Sequence, residues 1–250
     1  MQQVLISAAG LFMATLIGAV LGFALKRLPH RWNDSLLGFC AGVMLAAAVL
    51  GLLVPAVQMA GREQWWLAIL GVVAGAVLLN LMDALTPHLH KLTGLDQEEH
   101  RNNASLNRIL LFVLAIAIHK LPEGIATGVG FNADDVSHAW AVAFGIALQN
   151  IPEGMVVITP LLLAGVKRGR TLFISICIAL LEVVGVLLGY WLGALSRLCL
   201  PFMLALAGGA MLYVVSDEMI PETHAHGHEK PATFCLLAGF MLLLFLEQIL

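Results

Sequence analysis

The sequence has little charge. Asp, Glu, Lys and Arg make up 12% of its 250 residues, whereas an average soluble domain has about 25%. Hydrophobic residues make up 60%, and no segment between the apolar runs is long enough to form a soluble domain. These absences exclude a soluble globular protein. The formal net charge is only −3, and we expect no nucleic-acid partner.

Two spacings typical of other metal chemistries are missing. There is no CxxC pair among the four cysteines, which lie in apolar stretches, so we expect small core residues rather than a disulfide frame or a thiolate metal site. There is no HExxH either, which argues against an intramembrane metalloenzyme. The cysteines are Cys40, Cys177, Cys199 and Cys235.

Apolar runs are what the sequence does have. A helix needs about 20 apolar residues to cross ~30 Å of hydrocarbon. Eight runs qualify: 3–25, 35–60, 65–87, 108–131, 138–164, 171–193, 198–220 and 231–250. We predict an all-α integral membrane protein of eight transmembrane helices in one domain, 1–250, with a polar cytoplasmic loop at 88–107. The first run lacks a basic n-region and is too long for a signal-peptide core, so we expect a spanning helix.

Basic residues concentrate on one side of this arrangement. They follow the odd-numbered helices: Lys26, Arg27, Arg31, Lys91, Arg101, Arg108, Lys167, Arg168, Arg170 and Lys230. The opposite side has Arg62 and Arg197. Because cytoplasmic loops hold the excess of Lys and Arg, we expect both termini to be extracytoplasmic.

The fourth and fifth predicted helices contain related polar motifs, HKLPEG and QNIPEG. An ionisable side chain near the bilayer centre costs at least ~2.5 kcal/mol, so each is a functional candidate. His119 and Glu123 are four residues apart, as are Gln149 and Glu153, so each pair shares a helix face. Counted at 1.5 Å per residue, these residues and Glu182 of the sixth helix converge on one layer half-way across.

The residue types in this layer indicate a metal ion. Imidazole with carboxylate suits Zn, Fe and Mn, and the absence of sulfur argues against copper(I). Pro122 and Pro152 free backbone carbonyls, and interrupted helices in matching positions are typical of a transporter's midplane site. The alternative is a satisfied polar network that joins helices. Lys120 is either a charge-balancing partner of the carboxylates or an occupant of a second cation's place.

A second polar group lies toward the cytoplasmic ends of the third and seventh helices. It comprises Asp83, His88, His90, Asp217, Glu218, Glu222, His224, His226 and His228. Alternating histidines in HAHGH are a weak metal-collecting feature, so this group is either a cation exit path or a set of solvated helix ends. Glycines at 124, 128, 130, 145 and 154 predict close helix packing.

The two PEG motifs, with ICIALLEVVG and SDEMIPE, resemble the ZIP family of divalent metal transporters, within it the GufA-like branch. The resemblance covers essentially the whole chain. It implies a first-metal site at His119, Glu123, Gln149 and Glu153, and cytoplasmic exit positions at Asp83, His88, His90, Asp217 and Glu218. Second-metal positions fall on Lys120, Glu123, Asn150, Glu153 and Glu182. It also implies a homodimer and an elevator-like motion of helices 1, 4, 5 and 6.

This sequence departs from the family at the second metal position, where HNxPEG has become HKLPEG. A protonated lysine cannot coordinate a metal ion. We therefore predict one transported metal ion, with the Lys120 ammonium near the vacated position. Asn150, a neutral amide where some relatives have Asp, points the same way.

The sequence thus predicts a carrier that brings divalent transition metals into the cytoplasm. Zinc is the first choice, with cadmium, iron and manganese as further substrates and no prosthetic group. A metal-gated channel or sensor is the alternative. We expect the protein in the cell (inner or plasma) membrane of a prokaryote.

Overall fold

The computed structural model describes residues 1–25, 29–92, 117, 119–132, 136–163, 165–195 and 199–249. For residues 82–92, 138, 159–160, 163 and 195 it describes the backbone alone. All regular secondary structure in these ranges is helical, in agreement with the predicted all-α class.

The helices follow one another with short connections. The first three are α1, Gln2–Leu25, α2, His30–Ala46, and α3, Val54–Leu92. The next three are α4, residues 119–130, α5, Val136–Leu163, and α6, Arg168–Leu195. The last three are α7, Leu200–Val214, α8, Ile220–His224, and α9, Glu229–Ile249. Two π-helical segments continue the axis between helices: π1, Ala47–Leu53, and π2, Val215–Met219.

Six helical stretches in the described ranges are long and apolar enough to cross a membrane. One of them, His30–Leu81, has 52 residues. At 1.5 Å per residue it measures about 78 Å, more than twice the hydrocarbon thickness. Its helix is interrupted at Gly61, where φ is 62° and ψ is −165°. Glycine adopts this positive-φ backbone without a Cβ penalty, so the break falls where the sequence permits it.

Several helices are longer than predicted. The second helix begins at His30 rather than 35, so that Asp34 lies inside a helix. α3 continues to Leu92, which makes the start of the predicted loop 88–107 helical. The seventh helix continues through π2 and α8 to His224. The physical reason is common to all three: an apolar run marks hydrocarbon depth, whereas the backbone stays helical beyond it. Cys199 is exposed, so its prediction as a core residue was wrong.

The helices pack as two bundles. In the first bundle α1 packs against α5 and α6, and α4 packs against α6. In the second bundle α2 packs against α9 and α3 against α7. α5 contacts both bundles, since α2, π1 and α9 also pack on it. One apolar core cluster includes residues of both, among them Leu11, Met44, Ile146 and Leu204.

Glycines set the spacing inside each bundle. A Cβ at Gly124 or Gly128 of α4 would collide with backbone oxygens of α6, and a Cβ at Gly154 of α5 with the backbone of α1. The predicted close packing is confirmed at these positions. At Gly130 an added Cβ would make only ordinary contact, so close packing there was a wrong prediction. Glycine therefore brings α4 and α5, which carry the polar motifs, against α6 and α1.

Candidate functional site

Lys120 lies at the centre of a buried polar cluster. Its side chain is 2% exposed, and its three N–H groups have three partners. Nζ lies 2.6 Å from Glu123 Oε2 and 2.5 Å from Glu153 Oε2, and it donates to Asn150 Oδ1 at 2.5 Å. Since Glu123 is on α4 and Glu153 on α5, one ammonium joins the carboxylates of both polar motifs.

Asn150 extends this cluster to α6. Its Nδ2 donates to both carboxylate oxygens of Glu182, each at 2.8 Å. The hydroxyl oxygen of Thr15 in α1 lies 3.4 Å from Glu182 Oε2 and 3.2 Å from the carbonyl oxygen of Leu11, two acceptors for its single proton. Glu182 lies half-way along its 28-residue helix and is 0% exposed. All four helices of the first bundle therefore contribute to one polar layer.

Two members of the layer have polar atoms without a partner. Glu123 Oε1 and both side-chain polar atoms of Gln149 are buried and have no hydrogen-bond partner among the described residues. A buried polar group without a partner costs about 1–3 kcal/mol, and such groups in native proteins call for an explanation. Both residues belong to the predicted first-metal set. Their free oxygens are carboxylate and amide oxygens, which are metal-ligand types.

His119 faces the other bundle. Its Nε2 lies 3.0 Å from Glu218 Oε1, and Glu218 belongs to π2. π-helical turns re-aim side chains relative to a regular α-helix and are frequent at functional sites. The contact joins a residue predicted for the central site to one predicted for the exit path.

The predicted ligands are therefore divided between partners. Within the described ranges, no three His, Cys, Asp or Glu side chains are grouped so that they could hold a metal ion. Lys120 already contacts one carboxylate oxygen of Glu123 and one of Glu153. Glu218 contacts the Nε2 of His119. The four-residue ligand set stays a prediction.

A small cavity adjoins the cluster. It has a volume of about 10 Å³ and is lined by polar residues Thr15, Lys120, Glu153 and Ser175 together with apolar ones. A cavity needs about 10–15 Å³ to hold a water molecule. The space beside Lys120 and Glu153 is thus close to the size of one water.

Of the predicted exit residues, His224 and His226 lie where α8 ends, beside the start of α2. His226 Nδ1 lies 3.1 Å from Asp34 Oδ1, and His224 Nδ1 lies 2.7 Å from the carbonyl oxygen of Ile220. Asp217 is exposed and His228 is half-buried. The side chains of Asp83, His88 and His90 lie outside the described residues.

Two contributors were missed by the sequence reasoning. Thr15 could have been found as a hydroxyl in the middle of an otherwise apolar helix. Asp34 was excluded because the predicted helix began one residue after it. Both are buried and bonded to residues that the sequence did single out, Glu182 and His226 respectively.

The fold and the site define a class of protein. Long apolar helices that surround a buried layer of lysine, glutamates and amides are typical of membrane transporters, in which intramembrane ionisable residues mark the path of a substrate. They are not typical of a soluble enzyme or of a structural bundle.

Comparison with known proteins gives the family. The family model described as ZIP Zinc transporter matches residues 93–247. The chain is 40% identical to zinc transporter ZIPB of Bordetella bronchiseptica over 253 residues, covering 99% of this chain and 81% of that protein. It is 40% identical to zinc transporter GufA of Myxococcus xanthus over 178 residues, covering 71% and 69%. It is 30% identical to zinc transporter ZIP11 of Xenopus tropicalis, covering 93% of each.

This chain belongs to the ZIP family of zinc transporters. The resemblance drawn from the two PEG motifs is confirmed. The prediction of a transport protein rather than an enzyme is confirmed as well, since the relatives are named as transporters.

Proposed function

We propose that this protein carries zinc across the membrane toward the cytoplasm and binds it at His119, Glu123, Gln149 and Glu153. The observation that carries the proposal is the pair of buried oxygens without partners in the described chain, Glu123 Oε1 and Gln149 Oε1. An arriving cation would satisfy both and offset the cost of their burial. Cadmium, iron and manganese suit the same nitrogen and oxygen ligands and are proposed as further substrates.

Charge balance supports one metal ion rather than two. If ionised, Glu123, Glu153 and Glu182 carry three negative charges against the single positive charge of Lys120. The excess of two negative charges matches one divalent cation. Lys120 stands for the second metal because its ammonium already contacts Glu123, Glu153 and Asn150, three of the predicted second-metal positions.

Lys120→Asn tests this count, because it restores the family motif HNxPEG. We expect bound zinc at the central site to rise from one ion to two, measured as the metal-to-protein ratio of the purified protein by elemental analysis. The double variant Lys120→Asn with Glu182→Gln should return to one, since Glu182 is a second-metal position. Two ions in the unmodified protein at Glu123, Glu153 and Glu182 would contradict the proposal.

The proposed exit begins at His119. Because its ring already contacts Glu218 of π2, a cation that leaves the central site meets that carboxylate next. Asp217, His224, His226 and His228 continue the path, with Asp83, His88 and His90 of α3 assigned to it from the sequence. Acidic and imidazole ligands in series would pass a cation on without a large barrier at any one step.

We further propose alternating access by an elevator-like motion of the first bundle. The support is a difference between contacts. Many glycines inside the bundles face backbone atoms, as at Gly18 against Ile151, whereas Gly51 and Gly145, which lie between the bundles, face the side chains of Val142 and Leu243. Side-chain contacts re-form by rotamer changes when one body slides along another, and backbone contacts do not.

The remaining architecture is proposed on the same basis. Dividing His30–Leu81 at Gly61 and adding the span predicted from the sequence at 108–131, which includes α4, makes eight membrane spans from the six long stretches. We propose one transmembrane domain over 1–250, extracytoplasmic termini and a homodimer in the cell membrane of a prokaryote. The orientation rests on the distribution of Lys and Arg.

Zinc uptake by proteoliposomes that contain a zinc-sensitive dye tests the function. We expect saturable uptake by the unmodified protein and its loss in Glu153→Ala, which removes a predicted ligand and a partner of Lys120. Glu63→Ala, at an exposed glutamate beside Gly61, is the matched control and should transport normally. Uptake that does not saturate and reaches channel conductance would favour the channel, and zinc binding without uptake would favour the sensor.

A further inference from the structure

Asp34 is a buried carboxylate outside the central site. It lies in the first turns of α2, is 0% exposed, and its Oδ1 lies 3.1 Å from His226 Nδ1. Its other oxygen, Oδ2, is buried and has no hydrogen-bond partner among the described residues. Burying a carboxylate is costly unless it is paired, so its single described partner, His226, is central to its role.

The contact with Asp34 fixes the orientation of the His226 ring. An ionised Asp34 can only accept, which places the proton of a neutral His226 ring on Nδ1 and the lone pair on Nε2. Histidines that bind metal ions nearly always donate their other ring N–H to a carboxylate or a backbone carbonyl in this way. The His226 side chain is 31% exposed, so a cation from the path can reach it.

A second imidazole lies beside it. The rings of His30 and His226 stack with centroids 4.4 Å apart and an angle of 26° between their planes. Stacked rings turn their faces toward each other, so neither ring aims a nitrogen lone pair at the space between them, which agrees with the lack of a formed three-residue metal group in the described chain. His30 is exposed, so its ring can turn about its side-chain bonds toward the lone pair of His226.

We propose that His226 and His30 form a cation-binding site at the exit, which takes zinc or a similar divalent transition metal, with Asp34 as the residue that positions His226. The proposal rests on the transport function proposed above. Imidazole nitrogen suits zinc, and two protein ligands with water completing the shell make a weak site that releases its ion. An anchor for the segment between α8 and α9 would need Asp34 and His226 but would leave His30 without a role.

Zinc titration of the purified full chain, with ¹⁵N-labelled histidine, tests the site by NMR. We expect the Nε2 signal of His226 to shift as zinc is added, with His226→Gln identifying the signal by its loss. Asp34→Asn should weaken zinc binding at this signal about 10–100-fold, the usual effect of removing the orienting group. Without zinc it should also shift the ring toward the other tautomer, because Asp34 no longer holds the proton on Nδ1.

Two further variants keep the test decisive. Ser35→Ala is the matched control, because its hydroxyl donates within the helix to the carbonyl of Arg31 at 2.8 Å; it should leave the titration unchanged. His30→Ala removes an exposed side chain, so it should weaken zinc binding at His226 without affecting folding. The proposal would be overturned if the Nε2 signal of His226 does not shift as zinc is added. It would also be overturned if the zinc affinity at this signal is unchanged in both Asp34→Asn and His30→Ala.

The uptake assay separates the two proposals. If the unmodified protein takes up zinc while the His226 signal stays unmoved, only the exit site is wrong. If the unmodified protein shows no uptake, the transport function fails, and the exit site loses the path on which it rests.

Discussion

Five ionisable side chains lie in the interior of the first bundle, whereas those described in the second bundle lie near helix ends or, as Asp217 and Glu218 do, in π2. The first set is His119, Lys120, Glu123, Glu153 and Glu182. The second set includes Asp34 at the start of α2, Arg62 and Glu63 beside Gly61, and Glu229 and Lys230 at the start of α9. Both bundles use glycine to bring helix backbones together. Packing therefore does not distinguish them, and charge does.

This difference in the position of ionisable side chains indicates different functions for the two bundles. An ionisable group in apolar surroundings persists only with a partner, and the first bundle links its charges through Lys120 and Asn150 into one set. The second bundle keeps its interior for close packing, as at Gly42 against the backbone of Leu236. A bundle whose described charges lie at helix ends and in π2 is suited to serve as a frame against which the charged bundle moves.

Removing the central cation should have the largest effect on stability. Lys120→Met leaves three buried carboxylates without their ammonium, and breaking a buried pair costs about 3–5 kcal/mol. We expect a marked fall in the thermal unfolding temperature in zinc-free detergent solution, partly restored by added zinc because a divalent cation replaces the lost charge. Lys230→Met, at an exposed lysine of α9, is the control. An unfolding temperature equal to that of the unmodified protein would show that Lys120 does not balance these carboxylates.

Adding a methyl group at Gly42, where α2 packs against α9 in the second bundle, should have an intermediate effect on stability. A Cβ at Gly42 would lie within 3 Å of the backbone of α9, so the helices must separate. Overpacking of this kind costs about 1–3 kcal/mol, and Gly42→Ala should lower the unfolding temperature accordingly. Gly10→Ala on α1 is the matched control, because no atom lies within 4 Å of its added Cβ. If both variants unfold at the same temperature, glycine does not set the spacing of α2 and α9.

A substitution at the interface between the bundles should have the smallest effect on stability. A Cβ at Gly145 of α5 would meet Cδ1 of Leu243, the end of a flexible side chain. Gly145→Ala should cost about 0.5–1.5 kcal/mol, the cost of moving Leu243 off its preferred rotamer. The thermal unfolding temperatures of Gly145→Ala and Gly42→Ala, measured under the same conditions, show which substitution costs more stability. A larger loss at Gly145 than at Gly42 would mean that the interface between bundles is packed as rigidly as the bundles themselves.

Local spacing explains what could be predicted about the site. His119 and Glu123 share a face because a helix turns every 3.6 residues, and the same holds for Gln149 and Glu153. No spacing within α4 tells which helix its face meets. That Lys120, one residue after His119, contacts Asn150 while His119 contacts Glu218 depends on how α4 is rotated between its neighbours.

By itself, the sequence determined the membrane class, the position of the charged layer along each helix, and the ZIP family. These follow from hydropathy, helical periodicity and two short motifs, which are properties of continuous segments. Only the tertiary structure decided that Lys120 joins the two glutamates, that π2 turns Glu218 toward His119, and that Asp34 is buried against His226. Apart from the Lys120–Glu123 contact within α4, these contacts join different helices, and they depend on glycine-set distances and helix rotations that no single segment encodes.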